Sequence, residues 1–428
     1  DSSFWKVLSS GMFCAGPDSV SLADRGKVLH SAPRSNLTES PECRMLGGTC
    51  YMTRNEPSSL PAPQMEEDPR FLTEQIVTYL GNKRSLLHFL GTGLEQVKKR
   101  LGKERLKAGD LFSGSGIVAR FLKQHSEELI VNDLEEYSRV VNTCYLSNAE
   151  EVENLELDRH YRRLLRYMET HESPGFITEL YAPRNPDCIT ADDRVFYTRR
   201  NAVYLDTARQ TINLLPAEIR PYFIAPLLAE ASVHTNTSGV FKGFYKDRNG
   251  IGKFGGTGGN ALSRILGDIS LPFPVFSRFD CRYSIHCRDA NELAAELPEM
   301  DVVYLDPPYN QHPYGSNYFM LNLLSSYEKP EETSRVSGIP ADWKRSMYNS
   351  RQHAPEALFR LLEDCPAKFI LLSYSSEGFI NYEEMTGFLG RLGRTVTLET
   401  PYAAFRGSRN FRNRPQNVTE FLFLVERF

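Results

Sequence analysis

The chain has 428 residues, of which 41% are hydrophobic, 11% aromatic and 24% charged, and this composition excludes a wholly disordered, collagen-like or disulfide-scaffold protein. Its 50 Lys and Arg against 54 Asp and Glu give a net charge of -4. This balance argues against a protein that coats nucleic acid by bulk charge, so any nucleic-acid surface must be local.

Metal and membrane sites have little support in the sequence. The 8 cysteines include no C-x-x-C pair, and the alternation around Cys281, His286 and Cys287 is typical of a strand, so we predict no metal site. The longest apolar run, residues 222–231, is shorter than the ~18 residues of a membrane span and contains Pro226. Because no continuous apolar segment follows Lys6, we expect a cytoplasmic protein without membrane contact.

The pattern of apolar runs predicts an α/β fold after an irregular N-terminal extension. Residues 1–70 are rich in Ser, Pro and Gly without sustained periodicity, whereas from residue 71 short apolar runs alternate with helical patterns. Helices are predicted at 117–124, 135–146 and 291–297. Strands are predicted at 107–111, 128–132, 283–287, 301–305, 368–374, 394–400 and 419–426. These elements predict a doubly wound, mostly parallel sheet whose last two strands, lacking a crossover helix, are antiparallel.

Residues 149–278 interrupt this alternation after the second strand. Their first half has helical patterns at 157–170, 204–214 and 217–231, and their second half, 235–260, is rich in glycine, basic and aromatic residues. We therefore predict an inserted domain at 149–278, between the two parts of the main domain at 71–148 and 279–428.

Two sequence features suggest a nucleotide site. Gly114 and Gly116 follow the first strand, where glycines let the backbone turn sharply and approach a ligand, although a plain strand-to-helix turn has the same sequence. Asp133 follows the second strand, where a carboxylate can accept hydrogen bonds from both hydroxyls of a ribose. Asp133 can also cap the helix that comes next, and the two roles are compatible.

A third motif indicates the chemistry. Asp306, Pro307, Pro308 and Tyr309 follow the apolar strand 301–305. The two prolines fix the backbone and lack N–H donors, so carbonyl groups at this strand end stay free to accept from a substrate. The Asp306 carboxylate is a second acceptor, and Tyr309 offers a flat face to a planar ring. Together they predict a site for an exocyclic amine on an aromatic base.

In this order, Tyr79-Leu-Gly-Asn-Lys83, Phe112-x-Gly-x-Gly116, an insert and Asp306-Pro-Pro-Tyr309 resemble the Dam-like (alpha-group) DNA adenine-N6 methyltransferases. The resemblance implies a Rossmann-like methyltransferase sheet, S-adenosyl-L-methionine as methyl donor, and double-stranded DNA as partner. The catalytic residues that it implies are Asp306, Pro307, Pro308 and Tyr309. The cofactor contacts that it implies are Tyr79, Gly81, Lys83, Asp110, Phe112, Gly114, Gly116, Asp133, Asp289 and Asp306.

The resemblance also gives these residues separate roles. Tyr79 and Gly81 would pack on the cofactor, with Lys83 pointing toward the cofactor or the DNA, and Asp289 would read the adenine of the cofactor. The glycine-containing part of the insert is similar to the hairpin with which the group touches DNA. The DNA contacts expected there, besides Lys83, are Asn236, Ser238, Lys242, Tyr245, Lys246, Arg248 and Lys253. A solvated loop is the alternative, and the arginines at 406, 409, 412 and 414 are a second candidate patch.

The sequence therefore predicts a bacterial-type enzyme that methylates N6 of a flipped-out adenine in a short duplex site, as a restriction-modification or orphan methylase. Cytosine-N4 methylation uses the same logic, although Asp before Pro-Pro-Tyr favours adenine. RNA methylation, protein-glutamine methylation and a DNA-binding subunit with an inactive methyltransferase fold are also compatible with the motifs. The sequence leaves open the recognition sequence, a cognate restriction endonuclease, and whether the protein is a monomer or a dimer.

Overall fold

Seven strands form one sheet in the computed structural model, which describes residues 66–78, 81–259, 261–403 and 417–428. The strands are β1 (Leu106–Asp110), β2 (Ser126–Asn132), β3 (Arg282–His286), β4 (Met300–Leu305), β5 (Ala367–Ser375), β6 (Gly393–Ala403) and β7 (Asn417–Arg427). Their spatial order is β3-β2-β1-β4-β5-β7-β6. Neighbours among β1 to β5 are parallel, whereas β7 is antiparallel to both β5 and β6. The predicted fold class, the seven strands and their antiparallel C-terminal pair are confirmed.

Helices cover both faces of the sheet, which explains why its central strands are apolar throughout. All 6 residues of β4 are buried, and separate apolar cores lie on its two faces. The helices that follow β1, β2 and β3 lie close to the predicted ranges. In chain order the α-helices are α1 (Leu87–Leu101), α2 (Ile117–Lys123), α3 (Glu136–Tyr145), α4 (Ala149–Asn154), α5 (Leu157–Met168), α6 (Phe176–Tyr181), α7 (Arg199–Ile212), α8 (Arg220–Val233), α9 (Leu262–Leu266), α10 (Ala290–Ala294), α11 (Tyr314–Asn317), α12 (Phe319–Ser326), α13 (Ala354–Asp364) and α14 (Tyr382–Leu392).

The order of the strands creates a crevice between β1 and β4. The chain proceeds outward from β1 through β2 to β3, and then returns to place β4 on the other side of β1. Loops therefore leave the carboxyl ends of β1 and β4 in opposite directions, and ligands bind at such switch points in open α/β sheets. The Gly114 loop and the Asp306 turn both begin at this edge.

The segment between β2 and β3 packs directly on the sheet domain. Tyr137 and Val141 of α3 share one apolar core with Phe223 and Leu227 of α8 and with Phe319 of α12. Residues Met65–Phe428 form one compact unit. The assignment of 149–278 as a recognition domain stays a prediction, as does the extension at 1–70, of which residues 1–65 lie outside the described residues.

The second half of this segment is mostly irregular. Between residues 235 and 259 the structure has one antiparallel bridge, Lys246 with Gly252, and a short 3-10 helix at Thr257–Gly259. The other 3-10 helices described are Pro69–Leu72, Lys83–Leu86, Ala217–Ile219 and Met347–Asn349. No helix in the described ranges is long and apolar enough to cross a membrane.

Candidate active site

The loop after β1 is shaped by two glycines in the left-handed region of backbone conformation. Gly114 has φ of 52° and Gly116 has φ of 75°, values that other residues rarely adopt. A Cβ atom on Gly116 would lie 3.0 Å from Oδ1 of Asn142 in α3. The loop is therefore fitted closely against α3 and brings its N–H groups to the edge of the crevice.

Asp133 joins this loop to the end of β2. Its Oδ2 accepts a hydrogen bond from the Gly114 N–H at 2.7 Å, and its Oδ1 accepts one from the Glu135 N–H at 2.9 Å. Burial raises the pKa of Asp133, although these backbone N–H groups favour the ionised form. The carboxylate thus links the loop after β1 to the turn before α3, and it also lines the cavity of the crevice. The N-cap of α3 is Glu135 and no side chain caps this helix, so the predicted capping role of Asp133 is wrong.

A cavity that is open to solvent lies between the loops after β1, β2, β3 and β4. Its walls include several predicted cofactor residues, namely Gly81, Lys83, Phe112, Gly114, Asp133, Asp289 and Asp306. Asp289 also caps α10, because its Oδ1 accepts the Asn291 N–H at 2.9 Å. The structure thus brings together residues that are up to 225 positions apart, from Gly81 to Asp306. Tyr79 lies outside the described residues.

Asp110 lies behind the cavity wall and is completely buried. Neither of its carboxylate oxygens has a hydrogen-bond partner among the described residues, although the backbone N–H groups of Phe112 and Ala119 lie near enough to favour its charge. Burial first, and then the charges of Asp306 and Asp133, raise the pKa of Asp110 well above its ordinary value. Asp110 is not among the residues that line the cavity, so its predicted contact with the cofactor stays a prediction.

Asp306, at the end of β4, belongs to a buried group of three charged side chains. The Lys83 ammonium lies 3.0 Å from Asp306 Oδ1 and 2.8 Å from Glu420 Oε1 of β7. The side chains of Lys83, Asp306 and Glu420 are 5%, 18% and 2% exposed. Lys83 also lines the cavity, and its predicted contact with the cofactor or the DNA stays a prediction.

Burial and neighbouring charges shift the pKa values of this group. Burial raises the pKa of Asp306 to about 6, the Lys83 ammonium opposes that rise, and Glu420 adds to it. Burial alone would lower the pKa of Lys83, but Asp306 and Glu420 outweigh it and raise the value well above normal. Lys83 is therefore a permanent cation, and Asp306 changes protonation close to neutral pH.

The other residues of the Asp306 motif surround this group. Pro307 is buried, and Pro308 lines the cavity. The Tyr309 ring lies edge-on to Tyr374, with 5.9 Å between ring centroids, and burial raises the pKa of Tyr309 to about 12. Tyr309 is consequently a neutral, half-buried ring beside the acidic group, as a stacking surface requires.

Several residues of this site had no role in the sequence prediction. Glu135 lines the cavity, accepts a 2.7 Å hydrogen bond from Asn322 Nδ2, and has a pKa that burial raises to about 7. Lys344 and Tyr348, from the segment before α13, also line the cavity. Arg120 holds the segment that leads into Gly81, because its guanidinium donates to the carbonyls of residues 71, 74 and 75.

Only weak signals in the sequence point to these residues. Glu135 lies two positions after Asp133, and Glu420 is a charged residue in the inward-facing phase of an apolar strand. Lys344 and Tyr348 lie in a segment without periodicity, where nothing pointed to a cavity wall.

The glycine-rich loop at 235–259 contacts α11, the first helix after the Asp306 turn. The Phe241 N–H donates to the Asn317 carbonyl of α11 at 2.7 Å, and Ser337 Oγ donates to the Lys242 carbonyl at 2.6 Å. Ser238, Lys242, Lys246 and Arg248 are exposed, while Tyr245 and Lys253 are partly exposed. The loop thus presents basic side chains on the surface near α11, whose Tyr314 and Gly315 line the cavity.

Asn236 has a different role from the one predicted. It is fully buried, and its Nδ2 donates to the carbonyls of Val195 and Lys253, both at 2.8 Å. Its Oδ1 accepts the Gly255 N–H at 3.0 Å. Both the amide N–H groups and the carbonyl oxygen of the side chain are hydrogen-bonded inside the protein, so the prediction of a DNA contact is corrected. Asn236 instead joins the start of the loop to Lys253 and Gly255.

A tight turn occupies the tip of the loop. Asp247 Oδ1 accepts the N–H groups of Asn249 and Ile251 at 2.8 and 2.9 Å, and Arg248 lies at the exposed end between them. Within the described residues no group of three or more His, Cys, Asp or Glu side chains could hold a metal ion. The arginines at 406, 409, 412 and 414 lie outside the described residues.

Comparison with known proteins gives a consistent result. Residues 79–388 match the model of the D12 class N6 adenine-specific DNA methyltransferase family. Type II methyltransferase M.CviAII of Paramecium bursaria Chlorella virus 1 is 28% identical over 359 residues, which cover 82% of this chain and 98% of that protein. Type II methyltransferase M.NlaIII of Neisseria lactamica is 27% identical, with 82% and 99% covered. Type II methyltransferase M.FokI of Planomicrobium okeanokoites is 25% identical, and the match covers 52% of that longer protein.

Proposed function

The chain belongs to the D12 class of N6 adenine-specific DNA methyltransferases, and from that premise we propose that it transfers a methyl group from S-adenosylmethionine to N6 of an adenine rotated out of duplex DNA. The adenine lies within one short recognition sequence. The observation that carries the proposal is the position of Asp306, which lines the cavity while a buried lysine holds its carboxylate. Cytosine methylation and an inactive fold are not retained, because the family comprises adenine-specific enzymes.

The residues around the cavity fit S-adenosylmethionine. When bound, this cofactor supplies an electrophilic methyl group on a positively charged sulfur. Asp110 keeps two unpartnered carboxyl oxygens behind the cavity wall, and Asp133 presents a carboxylate at that wall for ribose hydroxyls. The N–H groups of the Gly114 loop and the ring of Phe112 would complete the contact with the cofactor.

Asp306 and its neighbours would hold the target base. The Asp306 carboxylate and the Pro307 carbonyl accept from the amine, which turns the nitrogen lone pair away from the ring and toward the incoming methyl group. Tyr309 stacks on the rotated base. Positioning and electrostatic stabilisation supply the rate enhancement, because the chain holds acceptors where positive charge develops on the nitrogen.

The exposed basic residues of the 235–259 loop would hold the duplex. Lys242, Lys246 and Lys253 suit phosphates as point charges, and Arg248 at the turn tip suits a guanine edge because its guanidinium binds bidentately. The relatives are Type II methyltransferases. By analogy we infer that this chain protects DNA against a restriction endonuclease that reads the same sequence.

Mapping of methylated bases tests the proposed function. DNA from a methylase-free host that expresses the protein is sequenced for modified bases, beside DNA from a host that expresses Asp306→Asn. We expect N6-methyladenine in one short sequence, and none with the variant. Methylation of cytosine, methylation without sequence preference, or equal methylation by the variant would contradict the proposal.

A further inference from the structure

Strand β7 carries a charged residue where its pattern requires an apolar one. Glu420 pairs with Ser375 of β5 and with Thr400 of β6, so it lies inside the sheet and not at its edge. Because alternate residues of a strand share a face, Glu420 lies on the same side as Leu422 and Leu424, which are fully buried. Burying a carboxylate there is costly unless it is paired, so the position requires an explanation.

Lys83 forms the ion pair that offsets the cost of burying the Glu420 carboxylate. Its ammonium lies 2.8 Å from Glu420 and 3.0 Å from Asp306, so that one cation serves two carboxylates. The three side chains together carry one net negative charge when both acids are ionised. A pair of Lys83 and Asp306 alone would be neutral.

We propose that Glu420 is a positioning residue of the methyl-transfer reaction: it holds the Lys83 ammonium against Asp306 and leaves one uncompensated negative charge at the reacting amine. The proposal rests on the assignment of Asp306 as the acceptor for that amine. The bond from nitrogen to the methyl carbon forms as the bond from that carbon to the donor sulfur breaks, and the sulfur leaves as a neutral thioether. The nitrogen carries positive charge until one of its protons passes to water, and an excess negative charge in a water-poor site stabilises that state. Glu420 touches neither substrate nor cofactor and acts through Lys83.

The proposal predicts how Asp306 titrates. The other charged and titratable groups that face Asp306 are Asp110, Tyr304, Tyr309 and Tyr314, from β1, β4, the turn after β4 and α11. Burial raises the pKa of Asp306 to about 6, with Lys83 opposing and Glu420 adding to the rise. Removing the charge of Glu420 therefore lowers the pKa of Asp306, while the Lys83 ammonium, freed from one of its two acids, neutralises Asp306 more fully.

The test is Glu420→Gln, which keeps the shape of the side chain and removes its charge. The measurements are kcat, cofactor affinity, and kcat/KM as a function of pH. We expect kcat to fall about 10- to 100-fold, as for other groups that orient a reacting side chain. Cofactor affinity stays nearly unchanged, and the acid limb of the kcat/KM profile moves to lower pH by roughly one pH unit. A merely structural role would lower the amount of active enzyme without moving that limb.

Glu426→Gln is the matched control. It makes the same change on the same strand, at a side chain that is 37% exposed and pairs with Arg100 at 3.0 Å. It leaves both kcat and the acid limb at their wild-type values. Glu420→Asp is the second variant: it keeps the charge, so its acid limb stays at the wild-type position while kcat falls because the shorter side chain reaches Lys83 less well.

The outcomes separate this proposal from the assignment on which it rests. Wild-type kcat and an unmoved acid limb in Glu420→Gln would overturn it. If that variant does not fold, Glu420→Asp decides, because wild-type kcat in that variant is the contrary result. If Asp306→Asn still methylates DNA, the proposed role of Asp306 fails; if Asp306→Asn is inactive and Glu420→Gln is normal, the role of Glu420 alone fails.

Discussion

At the scale of single residues, the sequence did not predict the group of charged side chains around Asp306, which the structure shows. The motif that contains Lys83 predicted a side chain directed to cofactor or DNA, and only the position of Glu420, contributed by the last strand, shows that the ammonium is held between two acids. A motif does not show which of its side chains are buried, so the sequence did not predict that Lys83 lies between two acids. The one signal was Glu420, a charged residue among the apolar residues of β7.

The titration of Asp306 gives the first prediction. Its pKa is raised from 3.8 to about 6, so the carboxylate that accepts the target amine is lost as pH falls through that value. We expect kcat/KM to decrease on the acid side by about tenfold per pH unit, because the profile of kcat/KM reports the free enzyme. Initial rates on a duplex that contains the mapped site, in buffers of constant ionic strength, measure it. A profile that stays flat down to pH 3.8, the ordinary pKa of Asp, would exclude Asp306 as the titrating group.

Asp133→Asn should weaken the cofactor. The substitution removes the charge that would bind ribose hydroxyls, and it turns an N–H donor toward one of the two backbone N–H groups from which Asp133 now accepts. Loss of charge-assisted hydrogen bonds costs about 1.5–3 kcal/mol each, or roughly 10- to 100-fold in affinity. Calorimetric titration with S-adenosylmethionine measures the effect, with the exposed Asp268→Asn as control. An unchanged dissociation constant in the folded variant would limit Asp133 to holding the Gly114 loop against the turn before α3.

At the scale of elements, the sequence predicted where the glycine-rich loop lies in the chain, but it did not predict the hydrogen bonds inside the loop. Its basic composition predicted the exposed lysines and Arg248, because charged side chains stay in water unless they are paired. The same composition could not show that Asn236 is buried or that Arg264 donates to the carbonyls of Val233, Thr235 and Thr237. One of the basic residues near the loop is thus used to hold it in place.

Two kinds of variant in this loop should behave differently. Neutralising Lys242, Lys246 and Lys253 together weakens binding to all duplexes. The slope of the logarithm of the binding constant against the logarithm of the salt concentration becomes shallower by about 0.9 for each phosphate contact that is lost. Arg248→Ala relaxes discrimination at a single base pair by about 1–3 kcal/mol instead. Methylation rates on oligonucleotides with each single substitution in the mapped site separate the two effects. Full wild-type preference in Arg248→Ala would assign base reading to another residue of 149–278.

At the scale of the whole molecule, topology was the most predictable feature. All seven strands lie within a few residues of their predicted positions, because short apolar or alternating runs bounded by polar and turn residues mark strands. The edge at which Gly114, Asp133 and Asp306 meet follows from that topology. The sequence did not predict that Lys344 and Tyr348 line the cavity, because tertiary contacts place an irregular segment and its sequence has no periodic pattern.

The central claim is that Asp306 holds the target amine of DNA while a separate set of residues holds the cofactor. Single-turnover methylation of a duplex that contains the mapped site, with wild type and Asp306→Asn at saturating S-adenosylmethionine, tests it most directly when cofactor affinity is measured on the same preparations. We predict a rate about 100- to 1,000-fold lower in the variant, since one transition-state acceptor is lost, with nearly the same cofactor affinity. A near wild-type rate, or a loss of rate that saturating cofactor restores, would contradict the account.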